Sequence, residues 1–128
     1  MKLSVKFLKN VANVNCFQYV SHWDISEGSE NTLYFKTIDK LKEDIRYIPQ
    51  GTVNAMEVTF LDIDSDAEIV KTATNPYSDD LSLWCVTLTA AQVVNSGAVK
   101  FKLTQDGVET LFVVQQAITV DLLESGSC

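Results

Sequence analysis

Residues 98–114 read AVKFKLTQDGVETLFVV, the clearest strand pattern in the chain. Apolar residues of its first half, the predicted strand Ala98–Gln105, alternate with polar ones: Val99, Phe101 and Leu103 with Lys100, Lys102 and Thr104. This period of two places the apolar set on one face of a strand and the polar set in water. Asp106-Gly107 accepts the positive φ angles of a tight turn, and the chain resumes as Val108–Val114. The stretch therefore predicts an antiparallel hairpin with one buried face.

The same alternation recurs along the rest of the chain. Near the N-terminus, Leu3, Val5 and Phe7 alternate with lysine and serine. Similar patterns predict further strands at Thr32–Ile38, Met56–Ile63, Ile69–Thr72, Leu81–Thr89 and Ala117–Leu122. The strand Leu81–Thr89 is apolar on both faces, which is typical of a central strand covered on each side or of a subunit contact.

Helical signals are few. Thr89-Ala90-Ala91-Gln92 has the form of a capping box and Gly97 supplies a stop, which predicts one short helix near residues 89–96. Lys40–Asp44 is expected to form a solvated turn. Seven or more short strands with one short helix indicate an all-β fold, a single antiparallel β-sandwich over residues 1–128, with a small barrel as the alternative. A chain of 128 residues is the size of one domain.

Charge and composition narrow the classes of partner. Ten Lys and Arg against seventeen Asp and Glu give a net charge of −7, which disfavours nucleic acid and anionic membrane as partners. Hydrophobic residues make up 46% of the chain and it has two prolines, a composition that excludes disordered and collagen-like proteins. The sequence has no apolar run long enough for a membrane span and no signal-peptide pattern, so we expect synthesis and folding in a cytoplasm.

The cysteines do not predict a disulfide framework. Cys16, Cys85 and Cys128 are odd in number and form no CxxC pair. Cys16 and Cys85 lie among apolar neighbours and are expected to pack as small hydrophobic residues. An intermolecular disulfide through Cys128 stays open.

The sequence contains few groups that could act in catalysis. His22 is the only histidine, and its pairing with Cys16 as nucleophile and base would need a sharp chain reversal. We expect instead that a nearby carboxylate such as Asp24 satisfies it. No nucleophile elbow, phosphate loop or dinucleotide fingerprint occurs, so we predict no enzyme activity and no cofactor.

Two acidic segments could carry chemistry. Asp62, Asp64 and Asp66 have the spacing that opens a calcium loop, but Ala67 and Ala73 stand where such a loop needs Gly and Glu. A solvated hairpin tip is therefore the prediction, with a low-affinity calcium site as the alternative.

The second acidic segment is Asp79-Asp80, which precedes Leu81-Ser82-Leu83-Trp84. Adjacent strand residues point to opposite faces, which argues against a pair of glycosidase carboxylates and favours a turn that exposes both. Aromatic residues could form a platform for sugar, although core and interface roles also account for them: Trp23, Tyr34, Tyr47, Tyr77 and Trp84.

A family resemblance rests on the order of three segments. Arg46-Tyr47-Ile48-Pro49 with Gly51 is followed by a strand, then by Asp79–Thr89 with its Trp84, and then by Ser96–Thr104. In this order the chain resembles small virion proteins of tailed bacteriophages and, more loosely, the immunoglobulin-like N-terminal domain of phage baseplate upper proteins. The resemblance covers about residues 30 to 122. Where the family often shows Asp-Arg-Ser before the tryptophan, this chain has Asp80-Leu81-Ser82, so any role of that arginine is lost.

The resemblance implies an immunoglobulin-like sandwich that is a structural part of a virion, either a capsid decoration or cement protein or a neck or tail protein. Its partners would be other virion proteins and copies of itself. The candidate interface residues are Arg46, Tyr47, Trp84, Leu3, Val5 and Phe7, together with the tail after Leu122. Alternatively, Tyr47 packs on its own sandwich and Arg46 pairs with Asp44 or Glu43. A second hypothesis is a host-surface glycan- or protein-binding module, which should expose two or more aromatic rings in a groove.

Overall fold

The structure, a computed structural model, describes residues 2–11, 16–26, 28–43, 45–61, 68–92, 97–114 and 118–121. These ranges contain eleven strands and one short 3-10 helix, Lys40–Lys42. The strands are β1 (Leu3–Val11), β2 (Cys16–Val20), β3 (Trp23–Ser26), β4 (Asn31–Asp39), β5 (Ile45–Arg46), β6 (Asn54–Leu61), β7 (Glu68–Ala73), β8 (Leu83–Leu88), β9 (Val99–Gln105), β10 (Val108–Val114) and β11 (Ile118–Asp121).

Two antiparallel sheets form the sandwich. One sheet has the order β2-β1-β4-β5, and β8 also pairs with β4, next to β5 along the same edge. The other has the order β10-β9-β6-β7. A single backbone bridge between Thr74 and Cys85 links the end of β7 to β8. Buried residues of both sheets form one hydrophobic cluster, so the sheets pack face to face. This confirms the predicted all-β sandwich.

The core is built by the inward faces of both sheets. Their alternating apolar residues are buried, as Val5 and Phe7 are on β1 and Val58 and Phe60 on β6. The indole of Trp23, on β3, lies among phenylalanine rings from both sheets, with centroid distances of 4.7 Å to Phe7, 5.7 Å to Phe35, 6.2 Å to Phe60 and 6.1 Å to Phe101. Tilted and edge-to-face ring pairs of this kind stabilise a core beyond their buried area.

The β9–β10 hairpin forms as the sequence predicts. Asp106 has φ 48° and Gly107 φ 85°, the positive values that a two-residue turn of this type requires. The Asp106 carboxylate accepts hydrogen bonds from the backbone N–H of Val53 at 2.8 Å and of Thr52 at 2.9 Å. These two bonds hold the pKa of Asp106 below its ordinary value. The hairpin tip is thus anchored to the segment that leads into β6.

Several expectations need correction. Thr89–Gln92 form a turn rather than a helix: the Gln92 side chain accepts from the Thr89 N–H at 2.9 Å, as in a capping box, but no helix begins at these four residues. Residues 93–96 lie outside the described ranges. The strands β2 and β3 were not predicted. The pairing is not wholly antiparallel, because β3 and β11 form a two-stranded parallel ladder.

Other expectations stay predictions. The immunoglobulin-like connectivity is one of them, because the sheet topology fits a sandwich in general. The calcium alternative at Asp62, Asp64 and Asp66 and the intermolecular disulfide at Cys128 both concern residues outside the described ranges. Cys85 is a half-buried free thiol, whereas the packing of the Cys16 side chain is outside the description.

The two tryptophans offer a matched test of the core. Both are buried, but Trp23 Nε1 donates to the Tyr34 carbonyl at 2.8 Å, whereas Trp84 Nε1 has no acceptor among the described residues. A lost hydrogen bond adds to the cost of Trp23→Phe, while Trp84→Phe removes an unsatisfied donor. We therefore expect Trp23→Phe to lower the free energy of unfolding by about 1–2 kcal/mol more than Trp84→Phe. Equal losses in urea denaturation would contradict this account.

Candidate functional site

A groove lies on the outer face of the five-stranded sheet. Its volume is about 350 Å³, and its lining residues are Leu8, Phe17, Tyr19, Lys36, Tyr77, Asp79, Asp80 and Leu83. The strand register brings them together, because Leu8 on β1 pairs with Tyr19 on β2 and Lys36 on β4 pairs with Leu83 on β8. Leu8 and Leu83 are buried although they face away from the sandwich core, so they form an apolar floor.

Aromatic rings surround this floor. Phe17 meets Tyr34 edge to face at a centroid distance of 5.1 Å and Tyr77 at 6.4 Å, so β2, β4 and the loop after β7 are tied together. Tyr19 is 65% exposed, and the Lys6 ammonium lies 5.3 Å from the centroid of its ring. The groove therefore has a packed aromatic side and one ring open to solvent.

The acidic side of the groove is a turn held by its own hydrogen bonds. Asp80 N–H donates to the Tyr77 carbonyl, and the Asn75 amide donates to the carbonyls of Leu81 at 3.2 Å and Leu83 at 2.8 Å. The expected turn is present, but it does not expose both carboxylates as expected: Asp79 is exposed, whereas the Asp80 side chain is only 20% exposed. Because this segment is a turn and not a strand, both carboxylates line one groove.

Asp80 is the most connected polar group of the site. Its Oδ1 accepts hydrogen bonds from Ser82 N–H and Oγ, its Oδ2 lies 3.5 Å from Lys36 Nζ, and Arg46 Nη1 lies 3.8 Å from Oδ1. Burial alone would raise the pKa of Asp80, but the Ser82 hydrogen bonds and the Lys36 charge outweigh it and lower that pKa. Asp79 is exposed and makes no ion pair or hydrogen bond with any described residue.

The structure separates the candidate interface residues into two groups. Leu3, Val5, Phe7 and Trp84 are buried in the core. Their side chains pack on the chain's own sandwich and cannot offer a contact surface, so this part of the proposed interface is corrected. The alternation of apolar and polar residues in the sequence indicates the inner face of a sheet at these positions.

Arg46 and Tyr47 remain accessible in different degrees. Tyr47 packs against the core and its hydroxyl donates to Gln105 Oε1 at 2.8 Å, which confirms the alternative that it packs on its own sandwich. Arg46 is largely exposed, and its ion-pair partner is Asp80 rather than Glu43. Asp44, the other expected partner, lies outside the described residues.

The single histidine sits in an exposed turn. His22 Nε2 lies 3.2 Å from Asp24 Oδ1, which confirms the expected local carboxylate, and His22 Nδ1 lies 3.0 Å from Ser21 Oγ. This Ser–His–Asp string resembles a hydrolase triad in order. The groove is lined by other residues, so this string lies apart from it. Both ring nitrogens of His22 have a partner within the turn.

The described residues hold neither a metal-ligand cluster nor a membrane-spanning helix. Within the described ranges, no three His, Cys, Asp or Glu side chains are grouped as a metal site requires. No helical segment of the described chain reaches the length and hydrophobicity of a membrane span.

Comparisons with known proteins add no family. No protein-family model matches the chain, and a search of curated proteins gives no significant match. Function must therefore be argued from the groove and from the exposed surfaces of the sheets.

Sequence reasoning found part of the groove. It noted Asp79-Asp80 and, separately, Tyr34 and Tyr77, which it grouped with Tyr47 and with the buried Trp23 and Trp84 as a platform for sugar. It missed Phe17 and Tyr19. Their alternation about Gln18 in Cys16–Val20 is a short strand signal that would have placed both rings on one face.

The Asp80 network makes a testable pH prediction. A lowered pKa means that the ionised carboxylate stabilises the folded state above the ordinary pKa of 3.8, and that this stabilisation is lost as pH falls through the folded-state value. Asp80→Asn should lower the free energy of unfolding by about 1 kcal/mol at neutral pH, with a smaller difference from the wild type near pH 3. Thermal melts across this range measure it.

The matched control is Asp79→Asn, which alters the neighbouring exposed carboxylate. Asp79→Asn should leave the midpoint of thermal unfolding at neutral pH unchanged. An Asp80→Asn loss that is as large at pH 3 as at pH 7 would show that the carboxylate charge contributes nothing.

Proposed function

We propose that the chain is a non-enzymatic structural component of a tailed-bacteriophage virion that acts through protein–protein contacts. In this proposal it is a capsid decoration or cement protein or a neck- or tail-associated protein, assembled in the host cytoplasm. Its partners are other virion proteins and copies of itself, and it has no cofactor. The sequence resemblance supplies the virion context, and a feature of β10 supports action through contacts.

The observation that carries the proposal is the outer edge of the four-stranded sheet. β10 pairs with β9 on one side, and no other described strand pairs with it. Three of its apolar side chains are exposed: Val108 by 68%, Leu111 by 58% and Val113 by 49%. Proteins that work alone usually cover such an edge or place charges on it. An apolar edge of this kind is suited to contact with another protein chain.

The distribution of charge near this edge agrees with a contact surface. Lys102 on β9 lies 3.4 Å from Glu109 and 3.6 Å from Glu57, and the attraction of Glu57 and then Glu109 raises the pKa of Lys102. Two carboxylates face this one ammonium, and Lys100 on β9 is the register partner of Val113, so charged side chains border Leu111 and Val113. A partner that covers the two apolar side chains would meet these charges at the rim of the contact, the usual arrangement of an apolar centre and a polar rim.

A second candidate function is a host-surface binding module for glycan or protein. The groove favours it, because Phe17, Tyr19 and Tyr77 place aromatic rings around a concave surface that also carries carboxylates. Such a module was expected to expose two or more rings in a groove, whereas here Tyr19 is exposed and Phe17 and Tyr77 are half-buried. The two functions use opposite sheets and do not exclude each other.

The virion proposal predicts that the protein is present at many copies in particles of the phage that encodes it. Quantitative mass spectrometry of purified particles should give a copy number that is a multiple of the symmetry order of the capsid or the tail. Its absence from particles, with abundant protein in the infected cell, would refute the virion role.

The β10 contact makes a second prediction. Val113→Lys should reduce incorporation into particles at least about tenfold, because a charge would be buried at the contact. The matched control is Val70→Lys on β7, the opposite edge of the same sheet, where valine is 53% exposed. Both variants should keep the wild-type melting temperature. Equal incorporation of the two variants would exclude β10 as the contact.

A further inference from the structure

We propose that the groove on the outer face of the five-stranded sheet binds a neutral carbohydrate, with Tyr19 against the sugar ring and Asp79 accepting hydrogen bonds from its hydroxyl groups. This inference rests on the second candidate function and specifies its ligand. It is independent of the virion role, which could stand without it.

Size is the first argument. The volume of about 350 Å³ lies at the lower end of the range of roughly 300–1,000 Å³ that small-molecule sites occupy. One or two sugar rings suit a cavity of this size, and its open side would let a longer glycan continue into solvent. A folded protein partner would instead need a much larger flat surface.

The groove combines aromatic and polar groups, as a sugar site requires. A sugar ring has apolar C–H faces and a rim of hydroxyl groups, so its site needs both a flat apolar surface and hydrogen-bonding atoms. The exposed ring of Tyr19 provides the first, beside Leu8 and Leu83, which line the groove but are each only 3% exposed, and the exposed Asp79 carboxylate provides the second. A site for a purely apolar ligand would not place two carboxylates at its rim.

Charge selects among polar ligands. Among the described residues the groove is lined by one cation, Lys36, which is 3.5 Å from Asp80, and Arg46 is also paired with Asp80. Lys6, the register partner of Lys36, lies over the Tyr19 ring, so cations and carboxylates meet around this groove. A phosphate, sulfate or acidic sugar placed beside Asp79 would still meet an uncommitted carboxylate. Neutral hydroxyl groups can donate to the Asp79 carboxylate without such a penalty.

The groove is also arranged before any ligand arrives. Asn75 fixes the loop through the Leu81 and Leu83 carbonyls, and Ser82 fixes the Asp80 carboxylate. Phe17 packs edge to face with Tyr34. Groups that are already held lose little conformational entropy on binding, which favours affinity.

The test is an NMR titration of the full chain, labelled with ¹⁵N, against single probes. The neutral probes are the methyl glycosides of glucose, galactose, mannose and N-acetylglucosamine. The comparison probes are glucose 6-phosphate, sialic acid and the apolar phenol p-cresol. We expect saturable shifts of the amides of Leu8, Tyr19, Lys36 and Leu83 with at least one neutral glycoside at up to about 50 mM, and none with the anionic probes.

Variants locate the contact. Tyr19→Ala and Asp79→Asn should each weaken binding about tenfold, and Tyr19→Phe, which keeps the ring, should bind like the wild type. The matched controls lie on the other sheet: Leu111→Ala for the exposed apolar side chain and Glu68→Gln for the carboxylate. All variants should keep the wild-type melting temperature, because Tyr19 and Asp79 are exposed.

Three outcomes would overturn the proposal: no saturable shift with any neutral glycoside, shifts with p-cresol alone, or binding that Tyr19→Ala and Asp79→Asn leave unchanged. Shifts with p-cresol alone would reject the carbohydrate while keeping the groove as a binding site for apolar peptide side chains. The copy number in purified particles is measured separately, so failure here leaves the virion role to its own test.

Discussion

The sandwich depends on the indole of Trp23. Its ring contacts phenylalanines of both sheets, with Phe7 and Phe35 on one and Phe60 and Phe101 on the other. Its Nε1–H also donates to the Tyr34 carbonyl. Burial of one large aromatic ring among four others supplies apolar contact on every side, and the hydrogen bond fixes its orientation. The two sheets are therefore held in one relative position, and their outer faces become fixed surfaces.

Alternation in the sequence predicted the strands that carry this core because a period of two is a local property. β9, β10 and β6 were predicted within one or two residues, and the Asp106-Gly107 turn with them. β2 and β3 were not, because they are only five and four residues long and a two-residue turn separates them. The parallel pairing of β3 with β11 joins segments far apart in the chain, which no local pattern can predict. At Thr89–Gln92 a capping signal was satisfied within a turn, because such a hydrogen bond needs only four residues.

The groove could be predicted only in part, because its residues come from four separate stretches of chain. The sequence does contain one signal: Leu8 and Leu83 are apolar at positions where alternation requires an outward side chain. In a half-buried strand such residues indicate that something covers the outer face. Here the cover is the turn that carries Tyr77, Asp79 and Asp80, and it is incomplete, which leaves the groove.

The two surfaces lie on opposite sides of the core, and this arrangement bears on how both could be used. The groove is on the outer face of the sheet that contains β1 and β4, whereas the apolar edge at Leu111 and Val113 belongs to the sheet that contains β9. A partner at the β10 edge would leave the groove exposed. Because the Trp23 core fixes the sheets, binding at one surface need not deform the other. A domain attached through β10 would then present its groove outward, and repetition over many copies would raise the avidity of a weak site for a repetitive surface.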